Sequence, residues 1–546
     1  MLKSRTRTPP SLNTHLRRAV LAFPPLSSPT YVPLGLASLV AFVRRQVPGC
    51  DLVACDLNVE AWHSAARTEE DRALVRYFQG QGEDFFDANL YAVKLEQWRG
   101  VGGRLARLLT HDARIYVERG EASGELRALL DGLLGLLLAR DPELVGLSVV
   151  FPGQLIPALA LARRLRELDP RRSRLVVLGG AMLSALRVDE LLRACAPFLD
   201  AVALGEGEVT AARLCAGEPL DQIPGLAHGG RARPGRPAPV ELGFLPLPAF
   251  DALELPRYLN PEPVLPFLLS RGCRWGRCRF CSHNASWGRY RRLAPDALAS
   301  QLAELDARHG ARHFYSADQY VEVEDLLGLG LALEQRGPRL AGLHVLGRPL
   351  PTYTADALER IAAAGVCWIG WGVESGSQRL LDIARKGIRV EVVRQVLVDA
   401  ASAGISNLMM LIHGLPGSTD EDLDATFRLV DELHPHLDAV TASGFVLFAN
   451  AEFGRRPERH GLRVIGAEVL FRVAGQTVHS HRLIYEELTD GVFGPPRRGE
   501  ELRRWERRRA WLPELPLLSQ MYAEHYLLHA AHRAGCRTRP IRTRAA

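Results

Sequence analysis

Short apolar runs that alternate with helical patterns limit most strongly how this chain can fold. Strands separated by helices pair in parallel, because a parallel connection needs a long crossover. This alternation in the first 225 residues predicts an α/β fold, with a doubly wound parallel sheet at 1–225 and a helical insertion at about 60–142. The predicted strands of this sheet are Arg18–Phe23, Asp51–Asp56, Leu144–Val150, Arg174–Gly179 and Leu199–Leu204.

A second alternating region follows a linker that is rich in proline and glycine, at 226–262. Six strand–helix units within 263–460 predict a partial (β/α)6 barrel of the TIM type, whose ligands would lie at the carboxyl ends of the strands. The last segment, 461–546, is predicted to be a small helical region. The six barrel strands are predicted at Val264–Ser270, His313–Ser316, Gly342–Gly347, Cys367–Val373, Asn407–His413 and Ala439–Leu447.

Composition excludes several classes of protein. The 68 basic and 62 acidic residues leave a net charge of only +6, without the concentrated basic face of a nucleic-acid binder. No apolar run reaches the ~18 residues of a membrane span, and no apolar stretch of signal-peptide length follows the basic N-terminus. We therefore expect a cytoplasmic protein with neither nucleic acid nor membrane as a partner.

The spacing of three cysteines indicates a metal site. Of nine cysteines, six are scattered, whereas Cys273, Cys278 and Cys281 form a C-x4-C-x2-C pattern directly after the first predicted barrel strand. Three thiolates on one loop can hold three irons of a 4Fe–4S cluster and leave the fourth iron open. The alternatives are a zinc site, which normally needs four ligands and could take His283 as the fourth, and thiols with no metal.

With these residues the chain resembles the radical S-adenosylmethionine (SAM) enzymes. Their usual motif is C-x3-C-x2-C with an aromatic residue before the last cysteine, a place that Phe280 fills, and Trp275-Gly276 resembles the longer loop of some members. The segment 372–378 with 385–388 is similar to the family's GxESG…KG signature, and 414–417 to its glycine turn beside the adenine. The resemblance implies SAM contacts at Phe280, Asp318, Arg348, Glu374 and Ser375.

Two of these residues also have simpler interpretations. Glu374 could be a charge placed favourably at a helix N-terminus. Arg348 could pair with the SAM carboxylate, since a carboxylate favours a bidentate guanidinium, or be a surface arginine.

The loops of the N-terminal sheet, which fits a flavodoxin-like fold, resemble those of the cobalamin-binding domain in cobalamin-dependent radical SAM enzymes. Taken alone, Gly179-Gly180 could be only a tight turn. Residues 24–35 contain no histidine and no Asp-x-His-x-x-Gly motif, so a bound cobalt is predicted to lack a protein histidine on its lower face. The resemblance implies cobalamin contacts at Pro33, Gly35, Ser148, Gly179, Gly180, Gly205, Glu206 and Gly207.

The resemblance implies a C-methyltransferase of natural-product or modified-peptide biosynthesis. Its cluster would cleave SAM to a 5′-deoxyadenosyl radical, and methyl transfer would use the cobalamin. One alternative is cyclisation or rearrangement with the same cofactors, and another is a cobalamin-binding sensor without catalysis. The expected partners are a small-molecule or peptide substrate and an electron donor such as flavodoxin or ferredoxin. No catalytic residue beyond the cluster ligands is predicted.

Overall fold

The computed structural model describes residues 16, 18–229, 238–283, 287–489, 491–509 and 521–535. Contacts divide the chain into two compact units. The first unit is built from described residues within 1–76, 96–259 and 469–480, and the second from those within 77–95, 260–468 and 481–546.

The first unit contains a six-stranded sheet in the order β2-β1-β3-β4-β5-β6. Strands β1 to β5 are parallel, which confirms the predicted doubly wound sheet, and their order is that of flavodoxin-like folds. The sixth strand is antiparallel to β5 and lies where only a linker was predicted, because three residues are too few to show a periodic pattern. The strands are β1 (Arg18–Phe23), β2 (Asp51–Asp56), β3 (Leu144–Ser148), β4 (Leu175–Gly179), β5 (Ala201–Ala203) and β6 (Leu226–His228).

Helices connect these strands and also form the insertion between β2 and β3, which was predicted to be helical. The buried sides of α1 and α7 are continuous apolar surfaces that cover the sheet. The helices are α1 (Leu34–Gln46), α2 (Leu57–Ala65), α3 (Glu69–Phe78), α4 (Ala88–Arg107), α5 (Ala113–Arg119), α6 (Gly124–Leu138), α7 (Leu155–Leu168), α8 (Val188–Cys195) and α9 (Gly207–Cys215).

The second unit contains a six-stranded, all-parallel sheet in the order β14-β13-β12-β11-β10-β7. This arrangement is the predicted partial barrel. A two-residue antiparallel ladder, β8 with β9, brackets the cysteine loop. The strands are β7 (Val264–Phe267), β8 (Ser270–Arg271), β9 (Arg291–Arg292), β10 (His313–Ser316), β11 (Gly342–Gly347), β12 (Val366–Glu374), β13 (Ser406–His413) and β14 (Ala439–Gly444).

The helices of this unit follow its strands. Sequence analysis did not identify α14, which fills the interval between the 385–388 segment and β13. No helix in the described residues is both long and apolar enough to cross a membrane. The helices are α10 (Pro295–His309), α11 (Val323–Arg336), α12 (Ala355–Ala363), α13 (Gln378–Ile383), α14 (Val390–Ser402), α15 (Asp420–Leu433) and α16 (Glu452–Arg455).

The C-terminal region contains helices, as predicted for 461–546, and also a hairpin that sequence analysis did not identify. A long hairpin of β15 (Leu462–Val473) and β16 (Gln476–Thr489), with β17 (Val492–Gly494) beside it, precedes the helices α17 (Arg498–Arg509) and α18 (Ala523–Arg533). Its turn is Ala474-Gly475, in which both residues have positive φ. Two-residue hairpin turns require this conformation, so the short Ala-Gly step was the available sequence signal.

Candidate active site

The cysteine loop lies at the carboxyl end of β7. Cys273, Cys278 and Cys281 are half-buried, form no disulfide, and lie between β8 and β9, at the edge of the sheet where a barrel places its ligands. Burial raises the pKa of Cys278 to about 11, the positive charges of Lys386 and Arg348 oppose that shift, and the two other thiols reinforce it. The Cys278 thiol is therefore influenced by the two other thiols and by the two cations.

The chemistry of this donor set fits three ligands to an iron–sulfur cluster. Among the described residues, no three His, Cys, Asp or Glu side chains are grouped closely enough to hold a metal ion as they stand. Three thiols on a loop, with nearby positive charge to stabilise thiolates, suit a metal group that arranges its ligands when it binds.

Phe280 and Arg279 anchor the last part of the loop. Phe280 packs against an apolar cluster that includes Leu380, Ala384 and Phe453. The Arg279 backbone N–H donates to the Ala384 carbonyl at 2.9 Å, and its guanidinium donates to the Ile383 carbonyl at 2.7 Å. Cys278 and Cys281 are thereby fixed to the end of α13.

Asp318 holds the start of the loop. Its buried carboxylate accepts from the Ser270 hydroxyl at 2.7 Å, the Leu269 N–H at 3.2 Å and the Ser316 hydroxyl at 2.7 Å, and also from the Ser270 N–H. Burial raises its pKa, and these donors oppose the shift. Both carboxylate oxygens thus accept hydrogen bonds from protein donors, and Asp318 fixes the position of Leu269 and Ser270.

Glu374 ends β12 in an unusual conformation. It has φ of +69°, and the register between β12 and β13 shifts between Gly372 and Glu374. Its buried carboxylate accepts a hydrogen bond from Lys386 Nζ at 2.6 Å. Glu374 is therefore part of a buried ion pair and not simply a charge at a helix N-terminus. Ser375 is also buried, with its hydroxyl 3.2 Å from that of Thr426. Backbone strain of this kind often accompanies functional sites.

Arg348 follows β11 and is buried, so it is not a surface arginine. Its guanidinium donates to the Lys386 carbonyl at 2.7 Å and lies over the rings of Trp275 and Tyr320, at 4.6 and 5.6 Å from their centroids. Its Nε has no hydrogen-bond partner. The structure therefore brings Arg348, Lys386 and Glu374 together beside the cysteine loop.

The glycine turn after β13 is covered by α17. The N–H of Gly414 donates to Glu501 Oε2 at 2.7 Å, and the hydroxyl of Ser418 donates to the same carboxylate. Gly414 has φ of +72°, and a Cβ there would overlap the backbone of Arg498. Sequence analysis missed Glu501 because it is 87 residues from its partner and belongs to no motif.

The residues predicted to contact cobalamin all lie at the carboxyl edge of the first sheet. Ser148 and Gly179 end β3 and β4, whereas Gly205, Glu206 and Gly207 lead from β5 into α9. Pro33 and Gly35 lie at the start of α1. Gly180 has φ of +106°, and a Cβ there would overlap the Val149 backbone, so this position requires glycine.

The loop between β1 and α1 contains no histidine, and His63 is used elsewhere. Ser27 N–H donates to the Asn58 side chain at 2.8 Å, and Trp62 Nε1 donates to the Ser27 carbonyl at 2.8 Å. His63 Nε2 lies 2.8 Å from the Arg257 carbonyl. His15 lies outside the described residues.

Comparisons with known proteins identify the class. Residues 267–430 match the model of the Radical SAM superfamily, so the chain carries a radical SAM domain. Its fold is that of cobalamin-dependent radical SAM enzymes. The radical SAM methyltransferase TsrM from Kitasatospora setae matches with a TM-score of 0.55 and 18% identity, over 84% of this chain and 82% of that one. The cobalamin-dependent radical SAM enzyme OxsB matches with a TM-score of 0.62 and 15% identity, over 95% of this chain and 75% of that one.

The sequence relatives match this chain over only part of their own length. An uncharacterized methyltransferase of Pyrococcus horikoshii is 25% identical over 54% of this chain and 65% of its own length. An anaerobic magnesium-protoporphyrin IX monomethyl ester cyclase of Rubrivivax gelatinosus is 24% identical over 54% of this chain and 55% of its own. The chain thus spans between about a half and two thirds of the length of these relatives.

Proposed function

We propose that this chain is a cobalamin-dependent radical SAM C-methyltransferase of natural-product or modified-peptide biosynthesis. The observation that carries the proposal is the cysteine loop at the carboxyl end of β7, inside the segment that matches the radical SAM superfamily. Cys273, Cys278 and Cys281 would bind three irons of a 4Fe–4S cluster. When bound, the cluster with SAM supplies a carbon-centred radical, and cobalamin supplies a methyl carrier.

The protein's own part in this chemistry is to hold its ligand residues in place. Asp318 and Arg279 fix the two ends of the cysteine loop through short hydrogen bonds. The Glu374–Lys386 ion pair keeps a carboxylate at the end of β12, where a polar group of SAM could bind. We assign Phe280, Arg348, Glu374 and Ser375 to the SAM site on this ground.

The first unit would bind cobalamin at its carboxyl edge. Ligands of flavodoxin-like sheets lie at this edge, and all eight residues proposed to contact cobalamin lie there. The turn after β4 requires glycine at 180, because a Cβ there would overlap the Val149 backbone. TsrM and OxsB have been determined with cobalamin bound, which supports carrying the cofactor over to this chain.

Two of the similar proteins are named as methyltransferases, and this favours methyl transfer over cyclisation or rearrangement. The second candidate is cyclisation with the same cofactors, which the similarity to magnesium-protoporphyrin monomethyl ester cyclases supports. TsrM has been determined with tryptophan as its substrate, and this favours a small-molecule substrate here. An electron donor such as flavodoxin or ferredoxin completes the proposal.

A thiol substitution tests the cluster. The full chain, reconstituted anaerobically with iron and sulfide, should hold about four irons and form 5′-deoxyadenosine from SAM under reduction. Cys278→Ala should lose both properties. Cys55→Ala, at a half-buried thiol in β2, is the matched control and should keep both. A Cys278→Ala variant that still holds four irons and cleaves SAM would refute the proposed function.

A further inference from the structure

The cysteine loop has one residue more than the usual radical SAM spacing, and the structure shows what the longer loop reaches. Trp275, between Cys273 and Cys278, extends to the segment that follows α13. Its indole N–H donates to the Arg385 carbonyl at 2.9 Å. The loop is therefore tied to a second element through a side chain that is not a metal ligand.

The 385–387 segment is shaped to receive this ring. Gly387 has φ of +70°, and a Cβ on it would overlap the indole of Trp275. A larger residue at 387 would have both an unfavourable backbone conformation and a steric clash. The absence of a side chain at Gly387 thus leaves space for the indole at this turn.

Arg348 connects the ring to the ion pair at the end of β12. Its guanidinium lies over the indole, with 4.6 Å to the ring centroid, and donates to the carbonyls of Lys386 and Gly387 at 2.7 and 3.3 Å. The Lys386 ammonium in turn donates to Glu374 at 2.6 Å. A continuous series of contacts therefore runs from the cysteine loop to the carboxylate of Glu374.

We propose that Trp275 is a positioning residue that sets the place of Glu374 for SAM through Arg348 and Lys386. The inference rests on the proposed function and deepens it. Arg348 is buried and Trp275 is half-buried, and the contact of the guanidinium with the indole holds both groups in one geometry.

Trp275 should act on SAM binding without being needed to retain the cluster. The loop has independent anchors, because Arg279 and Phe280 fix its other end to α13 and Asp318 fixes its start. Removal of the indole leaves these anchors intact. The two properties, iron retention and SAM affinity, are therefore separable.

The test compares four variants of the full chain after anaerobic reconstitution. Trp275→Ala should keep about four irons but bind SAM about tenfold more weakly, since it loses a hydrogen bond and a cation–π contact. Gly387→Ala, which displaces the ring, should behave in the same way. Trp275→Phe, which keeps a ring but not the N–H, should fall between these variants and the wild type. The matched control is Arg394→Ala, at an exposed arginine of α14 that pairs with Glu432, which should leave SAM affinity unchanged.

Two readouts are needed: iron content and the change that SAM produces in the electron paramagnetic resonance spectrum of the reduced cluster. In Trp275→Ala the SAM-dependent change should require about tenfold more SAM. Wild-type SAM affinity in both Trp275→Ala and Gly387→Ala would overturn the inference. Loss of iron from both variants would also overturn it, because Trp275 would then retain the cluster. A wild-type chain that assembles no cluster would refute the proposed function itself.

Discussion

Removal of one partner from the buried Glu374–Lys386 pair should destabilise the protein strongly. Glu374→Ala leaves the Lys386 charge buried without its partner, and we expect a loss of about 3 kcal/mol in the free energy of unfolding. The double variant Glu374→Ala/Lys386→Met should recover most of it, since no uncompensated charge remains. Anaerobic denaturant unfolding of the four forms measures the cycle.

An exposed ion pair is the matched control for this cycle. Arg394 and Glu432 lie 2.8 Å apart but are largely exposed, so Glu432→Ala should cost less than about 1 kcal/mol. Equal tolerance of Glu374→Ala and Glu432→Ala would contradict the role assigned to the buried pair.

Residues that act together in the second unit were only partly recognisable from sequence. The cysteines, Glu374 and Arg348 stand out because motifs and strand ends mark them. The partners that define their roles do not, since Ser270 and Asp318 are 48 residues apart and Gly414 and Glu501 are 87 apart. No local pattern encodes such pairs, which arise only when the sheet aligns its strand ends.

Secondary-structure elements were predictable where their apolar periodicity is strong. The five parallel strands of the first sheet and the six of the second follow the predicted order, with shifts of a few residues at their ends. The strand at Leu226–His228 is too short to show a period, and the hairpin at 462–489 was obscured by charged residues along half-exposed strands. Tertiary contacts, not local propensity, decide such elements.

Helix α18 should lose its packing in acid. Burial lowers the pKa of His529 to about 4, helped by the charges of Arg533 and His532, while Asp84 and the Phe85 backbone oppose the shift. The native protein keeps this imidazole neutral, whereas the unfolded chain binds a proton near pH 6.5. Stability from this group is therefore complete above pH 6.5 and falls as the pH drops toward 4, by roughly 1.4 kcal/mol per pH unit.

The His529→Phe variant isolates this effect from the other buried histidines. Phenylalanine keeps the aromatic contact with Phe85, whose ring centroid lies 5.2 Å from that of His529, but cannot be protonated. The protection factors for hydrogen exchange in α18, corrected for the intrinsic pH dependence of exchange, should fall below pH 6.5 in the wild type and less so in the variant. The same loss of protection in both proteins would contradict the assignment to His529.

Each of the two units of the molecule is assembled from separate segments of the chain. Residues 469–480 belong to the first unit, where the Arg187 N–H donates to the His479 carbonyl and His479 Nδ1 lies 2.8 Å from Glu190. Residues 77–95 belong to the second unit, where the Tyr91 hydroxyl lies 2.8 Å from His525 Nδ1. Neither unit is a continuous segment, so tests of function need the full chain.

The proposed function requires one chain to use a cluster and cobalamin to transfer a methyl group from SAM. To test this, the reduced, reconstituted full chain is incubated with cobalamin and with SAM that carries a deuterated methyl group, and the cofactors are then analysed by mass spectrometry. We predict that the bound cobalamin gains the deuterated methyl group and that 5′-deoxyadenosine forms in the same reaction. A folded chain that binds no cobalamin, or whose bound cobalamin gains no label, would contradict the proposed function.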